Sequence, residues 1–118
     1  MSRRDLSGAV DFGVLDRMTG GDDAVAEEVL GLFTEQAAMW SAMLEPRIDG
    51  WRDAVHTIRG AAAGIGAHQL AEVCQGAETA DASLAAPALE RVRTALDTAL
   101  GDVAAWRHEL MLRGLRRP

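Results

Sequence analysis

The stretch Leu89–Leu110, LERVRTALDTALGDVAAWRHEL, sets Leu89, Val92, Leu96, Ala99, Val103, Trp106 and Leu110 three and four residues apart in strict alternation. That spacing is the seam of a helix packed lengthwise against other helices. A strand would bring its apolar residues to every second position, and no stretch of the chain alternates in that way. The composition agrees: 48% of the 118 residues are hydrophobic, only 4% are aromatic, and Ala, Leu and Val, the first two strong helix formers, dominate.

Working outward from the seam, Ala82–Pro87 reads as a connection, with Pro87 suited to a first helical turn. Before it, Ala67–Asp81 predicts a helix with Leu70, Val73, Cys74 and Ala77 turned inward. Trp51–Ile65 predicts another, weakened by Gly64 and closed by Gly66. Pro46 and Asp49-Gly50 mark the turn ahead of it. A further helix starts at a cap on Asp22 or Asp23, and Val29, Leu32, Phe33, Gln36, Trp40, Met43 and Leu44 form its expected inner stripe. Asp11–Met18 makes a short helix, broken by Thr19-Gly20-Gly21. The fold class is therefore all-α: an antiparallel four-helix bundle with a short additional N-terminal helix. One domain over residues 11–112 is expected, with a loose arm at 1–10 and a basic tail at 113–118.

The formal net charge is −6 with no lysine among the basic residues, and the one basic cluster is Arg113, Arg116 and Arg117. An acidic chain repels a phosphate backbone, so nucleic acid is not an expected partner. A single cysteine excludes an internal disulfide and fits a reducing compartment. No run has the apolar length of a signal sequence or a membrane span, so a cytoplasmic location with no membrane contact is expected.

The chemistry concentrates at Ala54–Ala67, AVHTIRGAAAGIGA. At 100° per residue, Trp51, Val55, Ile58, Ala62 and Ile65 share one arc, the buried stripe. His56 lies roughly 140° from its centre and so faces solvent. Gly60, one turn on, shares that outward face, and Ala63 follows. A glycine inside a helix costs about 1 kcal/mol relative to alanine. The plain compensation at an exposed position is room for another molecule beside the imidazole. Arg52 and Arg59 flank the same face, where a guanidinium reaches an anion carried by the ring. The other candidates read as ordinary structure. His68 and His108 lack ligand-spaced partners, Cys74 sits on an inward stripe, and no metal-binding spacing occurs. GAAAGIG lacks the Lys-Ser/Thr ending and the preceding strand of a phosphate loop.

The order His56-Thr57-Ile58-Arg59-Gly60, then Gly66-Ala67, Leu70, Cys74 and Glu78, resembles the histidine-containing phosphotransfer (HPt) domain family. That resemblance covers about residues 11–112 and implies the same bundle. It implies that His56 accepts a phosphoryl group and passes it to or from receiver-domain aspartates in a two-component phosphorelay. The partners are then response-regulator receiver domains and a hybrid histidine kinase. No cofactor is implied on this chain, because Mg²⁺ belongs to the receiver, and neither is autokinase activity, since no ATP-binding domain fits. By the same resemblance Arg59 stabilises the phosphoryl group, Gly60 gives steric access and Glu78 orients the ring. Leu15, Met18, Arg52, Ala63 and Gly64 are the expected partner-binding residues. The chain departs from the family pattern in having Arg59 for the usual Lys, Ala77-Glu78 for Leu-Glu, and Gly76 within a helix. A monomer is expected. The alternative reading is a non-catalytic helical adaptor that binds receiver or kinase domains. A dimerising kinase domain is disfavoured because Thr57, not an acid, follows the histidine, and a metal or redox bundle because no Glu-x-x-His pair occurs.

Overall fold

The computed structural model describes residues 9–116. It contains helices α1 (Phe12–Thr19), α2 (Asp23–Ala42), α3 (Trp51–Ile65), α4 (His68–Glu78) and α5 (Ala85–Arg116), with a 3₁₀ turn at Ala82–Leu84 before α5. Helix α2 packs on α3, α3 on α4, α4 on α5, and α5 back on α2, which closes a four-helix bundle. Helix α1 lies against α2 and α3 at one end, where Phe12 stacks on Trp106 of α5 with ring centroids 5.0 Å apart.

The seam from Leu89 to Leu110 is buried at all seven positions. It runs on a helix of 32 residues, about 48 Å at 1.5 Å per residue. That helix packs on both α4 and α2. Helix α2 is tied to α5 by Arg107, which donates to Glu27 at 2.7 and 3.0 Å, and by Arg113, which pairs with Asp23 at 3.2 Å. Arg93 donates to the Leu44 carbonyl at 3.1 Å and so fastens the chain just beyond the end of α2.

Local chemistry sets the helix ends. Asp22 Oδ1 caps α2 by accepting from the backbone N–H of Ala24 and Val25. Gly66 closes α3 with φ of +85°, and Ala67 N–H bonds back to the Ala62 carbonyl at 2.8 Å. The Gly66 carbonyl then accepts from Asp11 N–H at 2.9 Å, so the same residue ends α3 and receives the start of α1.

Three expectations change. The inner stripe of α2 is Ala26, Leu30, Phe33, Ala37, Trp40 and Leu44, while Leu32 is 55% exposed, Gln36 is exposed, and Val29 and Met43 are half-buried. Helix α2 carries two apolar strips, and the one with the small alanines allows close helix approach and goes inward. The basic residues Arg113 and Arg116 belong to the last turns of α5 rather than to a separate tail. The expected loose arm falls mostly at residues 1–8, outside the described residues. Its last part is held: Val10 is buried and its N–H donates to Asp102 Oδ2 at 3.0 Å.

Candidate functional site

The site is built on α3 and the end of α4. The buried stripe of α3 (Trp51, Val55, Ile58, Ala62 and Ile65) turns His56 outward, and its side chain is 68% exposed. Nδ1 of His56 lies 2.8 Å from Oε2 of Glu78, the last residue of α4. A carboxylate only accepts, so Nδ1 carries the proton and donates. In the neutral ring that leaves the in-plane lone pair on Nε2, and no hydrogen-bond partner for Nε2 occurs among the described residues. A neutral imidazole held in one tautomer with Nε2 free is a nucleophile already oriented for attack.

Arg59 joins the pair. Its Nε donates to the same Glu78 oxygen at 3.2 Å, and its Nη2 approaches His56 Nδ1 to 3.2 Å. With the proton on Nδ1, that second approach is a close contact between donors, and the Arg59–Glu78 bond is the attractive part. Burial opposes ionisation of Glu78. The hydrogen bonds from Arg59 and His56 and their charges outweigh it and hold the carboxyl below its usual range. Cys74, inward on α4, is inert: burial, helped by the charge of Glu78 and opposed by Arg59, pushes its thiol up to about 12.

Beside the ring the surface is bare. Gly60 has ordinary helical backbone, and a Cβ built there or at Gly64 meets no heavy atom within 4 Å. Ala63 is exposed and Gly64 half-buried. His56, Arg59 and Glu78 are thus brought together, with Gly60 open next to them. The other expected residues divide. Met18 is 54% exposed, but Leu15 is 1% exposed and cannot line a docking surface, because it sits on the inner face of α1 with Phe12. Arg52 is turned to the end of α4, where it donates to the carbonyls of Glu78 at 2.7 Å and Ala80 at 2.9 Å. Reading by residue type missed the exposed strip Val25, Leu32 and Met39 on α2, although its seven-residue spacing is written in the sequence.

Among the described residues no group of three or more His, Cys, Asp or Glu is placed to hold a metal ion, and no helix is long and apolar enough to cross a membrane.

A comparison with curated protein sequences finds no match. The structure is similar to the crystal structure of the histidine phosphotransferase ShpA from Caulobacter crescentus. The TM-score is 0.79 and the identity 53%, over 92% of this chain and 100% of that one. Residues 26–106 match the family model of the Hpt domain. With an outward histidine oriented on the second bundle helix and most of the chain inside that match, the chain belongs to the Hpt domain family, the phosphotransfer domains of two-component signalling.

Proposed function

We propose that His56 is the phosphoacceptor and that it exchanges a phosphoryl group with the aspartate of a receiver domain. The observation that carries this reading is the 2.8 Å bond from Nδ1 to Glu78 on an otherwise exposed ring. In the forward step the Nε2 lone pair attacks phosphorus in the aspartyl phosphate. The Nε2–P bond forms as the P–O bond to the aspartate breaks, and the bonding pair leaves with the carboxylate. The Nδ1 proton stays on the ring, where Glu78 accepts its hydrogen bond and offsets the positive charge that the ring gains. The reverse step returns the group to a second receiver.

Gly60 leaves space for the partner to set its aspartate in line with Nε2. Arg59 anchors Glu78 before transfer, and its charge, one turn from His56, is placed to offset the dianionic phosphoryl group afterwards. The divalent cation of the reaction is assigned to the acidic cluster of the receiver. The docking surface would combine Gly60, Ala63 and Gly64 of α3 with Met18 of α1. The second apolar strip of α2 is a candidate extension of it. A hybrid histidine kinase is the proposed source of phosphate at the head of the relay, and the chain acts in the cytoplasm as a monomer without a cofactor of its own.

The test is transfer from a phosphorylated receiver domain to the wild-type chain and to His56→Gln. Label should appear on the wild type alone, labile in acid and stable in base as a phosphoramidate is, and ATP alone should give none. Receiver binding that survives His56→Gln, with no phosphate on either protein, would establish the adaptor reading instead.

A further inference from the structure

We propose that Arg52 is a positioning residue: by clamping the C-terminal end of α4 it sets the Glu78 carboxylate, and through it the tautomer of His56. The inference rests on the phosphoacceptor reading for its consequence in transfer, and on geometry alone for its effect on the ring.

Glu78 is the last helical residue of α4, so the direction of its carboxylate depends on how well the final turn holds. The last carbonyls of a helix have no partner within it, and helix ends fray unless something satisfies them. Two features weaken this end. Gly76 stands two residues before Glu78 in open surroundings, and the capping residue Thr79 reaches only the carbonyls of Ala77, with its N–H, and Gly76, with its hydroxyl at 3.3 Å, which leaves those of Glu78 and Ala80 for another donor. Arg52 supplies what is missing. Its Nη1 and Nη2 donate separately to the carbonyls of Glu78 and Ala80, so both arms of the fork grip the outgoing chain. A cation at a helix C-terminus also complements the helix dipole. The guanidinium is itself held, with its central carbon 4.3 Å from the centroid of the Trp51 ring, and Trp51 is buried at the start of α3.

The clamp and the acceptor are one turn apart on the same helix, Arg52 and His56 standing four residues apart. Helix α3 therefore holds both the ring and the arm that fixes the ring's partner. Arg59 holds the Glu78 side chain and Arg52 holds its backbone. With both terminal nitrogens bonded to carbonyls at the end of α4, Arg52 acts through Glu78 rather than on the phosphoryl group or the docking partner.

The test uses the full chain with Arg52→Met, Arg52→Gln and Arg52→Lys, each alone and combined with Glu78→Ala. Ring ¹⁵N shifts of His56 read the tautomer without any partner. The wild type and Arg52→Lys, which keeps a cation with several donors, should show the Nδ1–H form, while Arg52→Met and Arg52→Gln shift toward a mixture. Transfer from a phosphorylated receiver should slow about tenfold in Arg52→Met, the low end of what losing a histidine's orienting partner costs. In the Glu78→Ala background Arg52→Met should cost nothing further, because the two residues act in series. A wild-type tautomer in both Arg52→Met and Arg52→Gln would overturn the proposal, and so would losses from Arg52→Met and Glu78→Ala that multiply. If the wild type takes no label, the phosphoacceptor reading fails, and the tautomer measurement still decides the clamp.

Discussion

Replacing Gly60 by alanine should make the protein more stable and worse at its task. Gly60 has φ in the helical range, lies on the outward face of α3, and has no heavy atom within 4 Å of an added Cβ. Alanine therefore fits without strain and removes the entropy cost of glycine in a helix, a gain of about 1 kcal/mol. For a chain of this size that corresponds to a rise of about 4 °C in melting temperature. The methyl group, however, stands one turn from His56 where the receiver must close. Overpacking a tight contact by a methyl costs about 1–3 kcal/mol, so transfer should fall about tenfold. Thermal unfolding followed by circular dichroism gives the first quantity, and transfer from a phosphorylated receiver gives the second. Gly101→Ala is the control, since that position on α5 is equally open and far along the chain from the site. It should gain stability and transfer normally. If Gly60→Ala and the bulkier Gly60→Leu both transfer at the wild-type rate, the bare surface beside His56 has nothing to do with access and the reasoning fails.

Gly66→Ala should act in the opposite sense. The left-handed backbone there costs alanine about 1–2 kcal/mol, and the new Cβ would collide with the Asp11 carbonyl, so urea unfolding should show a loss of at least about 2 kcal/mol. A neutral result would mean that α1 is not seated on Gly66. The depressed Glu78 carboxyl, in which the hydrogen bonds outweigh burial, makes the unfolded chain bind more protons between the ordinary value of 4.5 and the lower folded one. The contribution of Glu78 is thus complete above that ordinary value and lost as pH falls through the folded value. Glu78→Gln should therefore flatten the acid limb of stability against pH, and an unchanged limb refutes the linkage. Cys74, buried and with its thiol pushed up to about 12, should ignore a thiol reagent in the native protein and react once in urea. Rapid native labelling would show that α4 opens readily.

How much of this was legible beforehand depended on whether a single helix decided it. On α3 and α5 one wide stripe of large apolar residues points one way, so the burial of Leu89–Leu110 and the exposure of His56 followed from periodicity alone. Helix α2 offers two strips. Helical spacing allows either Leu32 or Ala26 and Ala37 on the inner stripe, and only the neighbouring helices break that tie. The partner-binding role expected of Leu15 failed for a similar reason, since the eight residues of α1 make only about two turns, too few to repeat an apolar stripe and show which face is wet. The site divides similarly. His56, Gly60 and Glu78 were visible as positions, but the partners of Arg52 and Arg59 were not. A long side chain reaches in any of several directions, and the choice depends on which carbonyls and carboxylates the next helix leaves unpaired.

The link between α3 and α4 is only Gly66 and Ala67. The contacts described at the phosphoacceptor lie within that hairpin and the two residues that follow it, and the longest, from Arg52 to Ala80, spans 28 positions. Closing so short a loop costs little chain entropy, and contacts this local favour early formation during folding. The reactive unit is therefore nearly self-contained in the order of assembly, with α2 and α5 supplying the apolar backing against which it comes to rest. Substitutions in those two helices should change how long the hairpin survives more than how its histidine is aimed.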